Sequence, residues 1–407
     1  MSKATSQAGT LLAPPGALLA AYERLCPGVP PQVIARAPGR VNLLGGHVDM
    51  HGGTVITIAI DRGVWLVAAP ASGAVSTLHA ADLGETVALA HAADRLAARM
   101  DAAGDPLPRW AQYPAGVIWA LGQRRLEARG MNAAFSGDLP MGAGLSSSAA
   151  VEVAFAIGWA ALGGWQLAPG ALAEVGLDAE RGYLGLGIGI QDQYTVLHAR
   201  AGHALWLDCR SLEHRHIALP LGAAVVVCDT ATRRALVGSG YGGRAQDAHD
   251  AARIIRQRDP AVHTLRDVTL AQLEAHRSAL SDGQYRRARH VVSEIARVAH
   301  AVEVLARGDL IAFGALMSES YCSARDDYGS SSPALDAMWA AATAQPGCWG
   351  ARYSGGGEAG AVVALVEASA VGDFLGGAAA AYQRVTGREG AFFPVEAVTA
   401  AGVWNSQ

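Results

Sequence analysis

The stretch "NAAFSGDLPMGAGLSSSAAVEVAFAIGWAALGG", Asn132 to Gly164, decides how the chain is read. An apolar run, a glycine turn, three serines and a long apolar segment closed by Gly163-Gly164 read as strand, loop and buried helix. Gly142 and Gly144 allow the backbone to come close to a ligand. Ser146, Ser147 and Ser148 stand where the first helical turn leaves its N–H groups unpaired. Those donors and the positive end of the helix dipole favour an anion such as phosphate. A serine-capped buried helix without ligand fits the same spacing, and both readings stay open on this loop alone. No lysine follows the glycines, so the loop is not of the Walker type. A nucleoside triphosphate here would be met by backbone donors, hydroxyls and Mg2+, for which one serine and one carboxylate suffice.

Outward from this loop, strands and helices alternate in two blocks. Val33 to Ala37, Thr54 to Ile60 and Val64 to Ala69 are short, β-branched runs bounded by Gly, Pro or Asp, hence strands. Helices are expected at Gly16 to Leu25, Asp94 to Ala103 and Trp110 to Arg129. In the second block Ala223 to Cys228 reads as a buried strand. From Gln284 to Arg307 the residues Ala288, Val291, Ile295, Val298, Val302 and Leu305 form one helical stripe. "ARYSGGGEAGAVVALVEAS", Ala351 to Ser369, reads as a strand, a glycine turn and a second strand, and "AFFPVEAVTA" as a last strand. The expected class is α+β in two lobes, 1–220 and 221–407, with the boundary near residues 215 to 225.

Composition excludes several classes. With 51% hydrophobic and 17% charged residues and 49 glycines, the 407-residue chain is a compact globular protein with many tight turns. A net charge of -4 offers no footprint for nucleic acid, and the cluster Arg286, Arg287, Arg289 reads as a solvated helix face. Five scattered cysteines without a CxxC pair signal neither a disulfide framework nor a zinc site and fit a reducing cytosol. The first 25 residues are poor for a signal peptide, and the longest apolar stretch, Ala149 to Gly164, is short of a membrane span. A cytoplasmic monomer working on small molecules, with no membrane partner, is expected.

"ARAPGRVNLLGGHVDMHGG", Ala35 to Gly53, poses the chemical question. On a strand His47, Asp49 and His51 would share a face, as in a metal site. No second His/Asp cluster completes such a site, and His51 is expected at the surface. "GLGIG", Gly185 to Gly189, is not a dinucleotide loop, since it is not GxGxxG and lacks the strand and downstream acid.

Three ordered segments, "APGRVNLLGGHVD", "PMGAGLSSSAAVEVA" and "GARYSGGGEAGAVVALV", resemble the motifs of the GHMP kinases, and within them the chain is most similar to galactokinases. "RWAQY", "GIQDQY", "HALWLDCRSLE", "RRALVGSGY", "RARHVV", "SARDDYGSSSPALD" and "PGCWGARYSGGG" follow in the same order. The resemblance implies a ribosomal protein S5 domain 2-like N-terminal lobe carrying the sugar signature and phosphate loop. It implies a ferredoxin-like C-terminal lobe, a site between the lobes, and transfer of the ATP γ-phosphoryl to the C1 hydroxyl of a sugar. Asp192 matches the catalytic aspartate and Arg40 the arginine facing it; an arginine keeps a neighbouring carboxylate ionised, able to hold and later accept the sugar proton. Gly142, Ala143, Gly144, Leu145, Ser146, Ser147 and Ser148 match the phosphate loop, Trp110 the tryptophan at the adenine, and Gly356 the third-motif turn behind the loop. Ser148 and Glu180 match the magnesium ligands. His47, Asp49, Gly46 and Tyr241 match sugar-binding positions, which makes "HVDMH" hydroxyl recognition rather than a metal box.

The departures concern specificity. Galactokinases carry a glutamate that reaches the C6 hydroxyl where this chain has Gly46; Met50 replaces an aromatic and Gly240 an acidic residue. Loss of these carboxylates is expected to open space and remove negative charge at C6, admitting galacturonate or arabinose beside galactose, and galacturonokinases resemble the chain at this point. Glu358 beside the phosphate loop is expected to be repulsive unless it points outward. A non-catalytic galactokinase-like sensor of ATP and sugar is the rival reading; retention of "SSSAA", Arg40, Glu180 and Asp192 favours catalysis.

Overall fold

The computed structural model describes residues 13–233 and 241–404, without the side chain of Tyr241. Among these residues the first part of the chain runs α1 (Gly16–Leu25), β1 (Val33–Leu44), β2 (Thr54–Pro70), β3 (Val75–Ala80), β4 (Glu85–Ala90), α2 (Ala93–Ala98), α3 (Gln112–Gln123) and β5 (Met131–Gly137). It continues with α4 (Ser147–Gly163), α5 (Pro169–Asp178), α6 (Gln191–His198), β6 (His203–Asp208) and β7 (His214–Ala218). The second part holds β8 (Ala223–Asp229), α7 (Tyr241–Arg256), α8 (Leu270–Ala275), α9 (Asp282–Ala306), α10 (Leu310–Ser323), α11 (Pro333–Thr343), β9 (Cys348–Tyr353), β10 (Ala361–Glu367), α12 (Val371–Thr386), β11 (Ala391–Val395) and β12 (Gly402–Val403).

Two sheets organise the molecule. The first has the order β12-β1-β2-β5-β3-β4, with β6 and β7 added along the start of β2; the second is the antiparallel β11-β8-β10-β9. β2 is the spine, because its 17 residues are long enough to pair with β1, β5 and β6. Gly63 permits the crossing, since a Cβ there would strike the Ala37 carbonyl of β1. The sequence does not announce the β3–β4 hairpin, the β6–β7 pair or the return of β12 to β1, which are short or half-exposed strands with weak alternation.

α4 is buried on almost all sides; Trp159 and Phe155 are fully covered, so it reads as a continuous apolar run rather than a stripe. α2 and α3 end earlier than expected, because Arg99 and Arg125 adopt left-handed φ of 54° and 58°. α9 begins with a reciprocal cap: Ser281 Oγ accepts from Gln284 N, and Gln284 Oε1 accepts from Ser281 N. Such a cap contributes ~1 kcal/mol. Its buried face carries His290 and Glu294 to the end of β1. No described helix is long and apolar enough to cross a membrane.

The segment after β1 is not a strand. β1 ends at Leu44 and Asp49–His51 form a single 3-10 turn, so His47, Asp49 and His51 do not share a strand face. His51 is wholly buried, with its ring centroid 4.5 Å from that of His249. The surface placement expected for it is therefore wrong, because the turn folds the ring inward under α7. The basic cluster on α9 is only partly a free face: Arg287 donates to the Asp327 carbonyl and Arg289 pairs with the Asp327 carboxylate.

Candidate active site

The cleft is lined by the end of β1, the loop into α4, the turn before α6 and the glycine turn after β9. Arg40 comes from β1, is 4% exposed and binds Asp192 of α6, its Nε 2.8 Å and Nη2 2.6 Å from Oδ1. Its Nη1 donates to the Gly144 carbonyl at 2.7 Å. The other Asp192 oxygen, Oδ2, accepts from Ser146 Oγ at 2.5 Å. One guanidinium thus ties the aspartate to the glycine loop, and Ser146 is held in a left-handed conformation (φ 58°) just before α4.

The loop is clamped from behind. A Cβ at Gly144 would meet the Ser354 carbonyl, and one at Gly355 the Gly144 backbone, so the two glycine turns stack main chain on main chain. Gly142, Gly144, Leu145 and Ser146 to Ser148 face the cleft with Gly356. Ala143 does not: it is buried and its carbonyl accepts from Ala361 N at 2.9 Å. Glu358 is not left repulsive. It takes a left-handed φ of 69° and pairs with Arg244 of α7.

Glu180 rises from a π-helical turn, Ala179–Tyr183, a local widening common at functional sites. It is 3% exposed; burial, followed by the Asp192 charge, pushes its carboxyl up to about 7. Ser148 and Gln193 hydrogen-bond to it. Sequence reasoning missed Glu152, one turn beyond Ser148 on the same face of α4. It is fully buried, its Oε2 accepts from the same Gln193 amide at 3.1 Å, and among the described residues its Oε1 has no hydrogen-bond partner. Burial and the nearby Glu180 hold it well above the usual carboxylate range. The signal was the four-residue spacing of Ser148 and Glu152 inside an otherwise apolar helix. The hard oxygen set of Ser148 and Glu180 fits Mg2+, which needs one or two carboxylates and keeps its waters.

At the other wall stand the residues matched to the sugar. His47 has φ 62°, stacks on Tyr328 with centroids 4.2 Å apart, and its Nε2 lies 2.9 Å from Ser330 Oγ and 2.8 Å from Tyr353 OH. Asp49 lines the cleft beside Gly189; burial and then Asp192 push its carboxyl up to about 6. Gly240 and the side chain of Tyr241 lie outside the described residues. Trp110 is not brought to the cleft lining: its Nε1 donates to Glu85 at 2.6 Å and its ring rests against Phe135.

Fold and site together define a two-lobed GHMP kinase. The chain matches the family models "GHMP kinases N terminal domain" over residues 112–200, "GHMP kinases C terminal" over 301–381 and "Galactokinase galactose-binding signature" over 20–70. It is 40% identical to a galactokinase of Roseiflexus sp. over 92% of this chain and 94% of that one. It is also 40% identical to the galactokinase of Homo sapiens, covering 84% and 86%. The solved Lactococcus lactis galactokinase complexed with galactose superposes with a TM-score of 0.87 at 26% identity, over 95% of this chain and 98% of that one. Methanococcus jannaschii mevalonate kinase shares the fold, with a TM-score of 0.62 at 16% identity over 92% and 100%. The chain belongs to the galactokinase family and is a sugar kinase.

Proposed function

We propose that the protein transfers the γ-phosphoryl group of ATP to the anomeric C1 hydroxyl of galactose or a close relative altered at C6, such as galacturonate or arabinose. The observation that carries this reading is the Arg40–Asp192 pair, held at the N-terminus of α4 by Gly144 and Ser146. A sugar hydroxyl at Asp192 attacks phosphorus as the bond from the γ-phosphorus to the bridging oxygen breaks. Its proton passes to the carboxylate, and the electron pair leaves on ADP. The transition state is loose, so placement and charge matter more than base strength. Arg40 offsets charge beside the reacting group, while the first-turn N–H groups of Ser147 and Ser148 in α4 and those of the loop glycines hold the phosphates. Ser148 and Glu180 would hold Mg2+, which neutralises phosphate charge when bound. His47, Asp49, Gly46 and Tyr241 position the sugar. The lobes 1–220 and 221–407 close the cleft from its two sides.

The test is ADP release with ATP, Mg2+ and a panel of free sugars: galactose, galacturonate, arabinose, glucuronate, fucose, mannose and N-acetylgalactosamine. Turnover of galactose or of one of its C6-altered relatives supports the reading. Silence across the panel with ATP still bound would favour a non-catalytic sensor of ATP and sugar.

A further inference from the structure

Glu358 is the one charged residue in the turn that joins β9 to β10, residues 354–360. Its neighbours on both sides, Gly357 and Ala359, line the cleft together with Gly355 and Gly356. The turn cannot back away from that cleft. A Cβ at Gly357 would strike the Ser330 carbonyl and one at Gly360 the Ala143 carbonyl, so main chain meets main chain on both flanks. A carboxylate pointing inward from this turn would stand beside the loop and the first turn of α4, where backbone donors favour an anion, and would repel it.

The fold sends the side chain the other way. Glu358 takes a left-handed φ of 69°, unusual for a residue with a Cβ. It is absent from the cleft lining and borders a second hollow with Thr232, Ser332 and Arg388. Its carboxylate pairs with the guanidinium of Arg244, in the first turn of α7, whose side chain is 11% exposed. Arg287 of α9 brings a second guanidinium near Arg244, and the hydroxyls of Tyr328 and Tyr353 stand close by. Arg244 itself does not line the cleft.

Resting on the proposed ATP-dependent reaction, we infer that Arg244 is a further positioning residue for the nucleotide. It draws the Glu358 carboxylate out of the cleft and cancels its charge. The turn behind the phosphate loop then offers the triphosphate only main chain and the methyl group of Ala359. Arg244 acts through Glu358 and not by touching the phosphates.

The test measures ATP affinity by calorimetry on the full chain with Mg2+, at low and at high KCl, in wild type, Arg244→Gln, Glu358→Gln and the double variant. Arg244→Gln leaves Glu358 charged and untethered and is expected to weaken ATP binding ~10-fold, a loss that shrinks in high salt. Adding Glu358→Gln to it is expected to restore affinity to within ~3-fold of wild type, because no charge is left to repel. Should Arg244→Gln fail to fold, Glu358→Gln decides alone. With Arg244 left uncancelled near the phosphates, ATP binding is expected to tighten ~3-fold, and unchanged or weaker binding then overturns the inference. Arg244→Gln that binds ATP as wild type does, or a double variant as weak as Arg244→Gln, also overturns it. Wild type that binds no ATP overturns the nucleotide reading on which it rests.

Discussion

The carboxylate of Asp49 occupies the space where a side chain at residue 189 would stand: a Cβ on Gly189 would fall onto Asp49 Cγ and Oδ2. The glycine of "GIQDQY" is therefore needed for the placement of Asp49 in the cleft, three residues before Asp192. Gly189→Ala is expected to turn Asp49 away and raise the KM for the sugar ~10-fold, with the KM for ATP unchanged. Steady-state kinetics with each substrate varied in turn checks this; a parallel rise in both constants would point to general distortion instead.

Asp49 should also mark the pH dependence of sugar binding. It ionises near pH 6 rather than at its ordinary 3.8, and only the ionised carboxylate accepts hydrogen bonds with both oxygens. The KM for the sugar is expected to fall as pH rises through about 6 and then level, an inflection that Asp49→Asn removes. Because the folded value is the higher one, the free protein keeps a proton that the unfolded chain releases. This group's contribution to stability is full below about pH 4 and lost as pH rises toward 6. Thermal melts of wild type and Asp49→Asn across this range read that slope.

Asp192→Asn keeps the shape of the contact to Ser146 and Arg40 but cannot take the sugar proton. Turnover should fall at least ~100-fold, the usual contribution of a positioned base, with sugar affinity by calorimetry largely retained. Turnover near wild type would remove Asp192 from the proton transfer.

Glu152 gives a prediction about stability alone. Buried beside Glu180, it holds its proton well above its ordinary 4.5, so wild type loses stability relative to a neutral side chain as pH rises above that value. Glu152→Gln should match wild type near pH 4 and melt at least ~3 °C higher at pH 8. Equal melting temperatures at both pH values would mean that the carboxyl is not carried neutral in the fold.

Local pattern carried much of the architecture. Strand, glycine loop, serine run and apolar helix are legible at Asn132 to Gly164 because each step depends on neighbours within a few residues. The helical stripe of α9 and the strands β8 to β11 are legible for the same reason. Arg40 and Asp192 are 152 positions apart, and nothing local pairs them; family motifs brought them to notice, and the fold of β1 against α6 sets them 2.8 Å apart.

What the sequence by itself determined is thus the α+β class and the strand, glycine loop and buried helix that lead into and form α4, all functions of short-range spacing and backbone chemistry. What only the tertiary structure decided is the meaning of single residues whose neighbours come from far along the chain. Glu152 meets Glu180 through a glutamine of α6; His51 is buried against α7; and the space a Cβ at Gly46 would take is filled by the Arg352 guanidinium, 306 positions away, where a gap was expected. Burial and charge compensation depend on which distant side chains share a volume, and that is fixed only when the two sheets and α9 pack together.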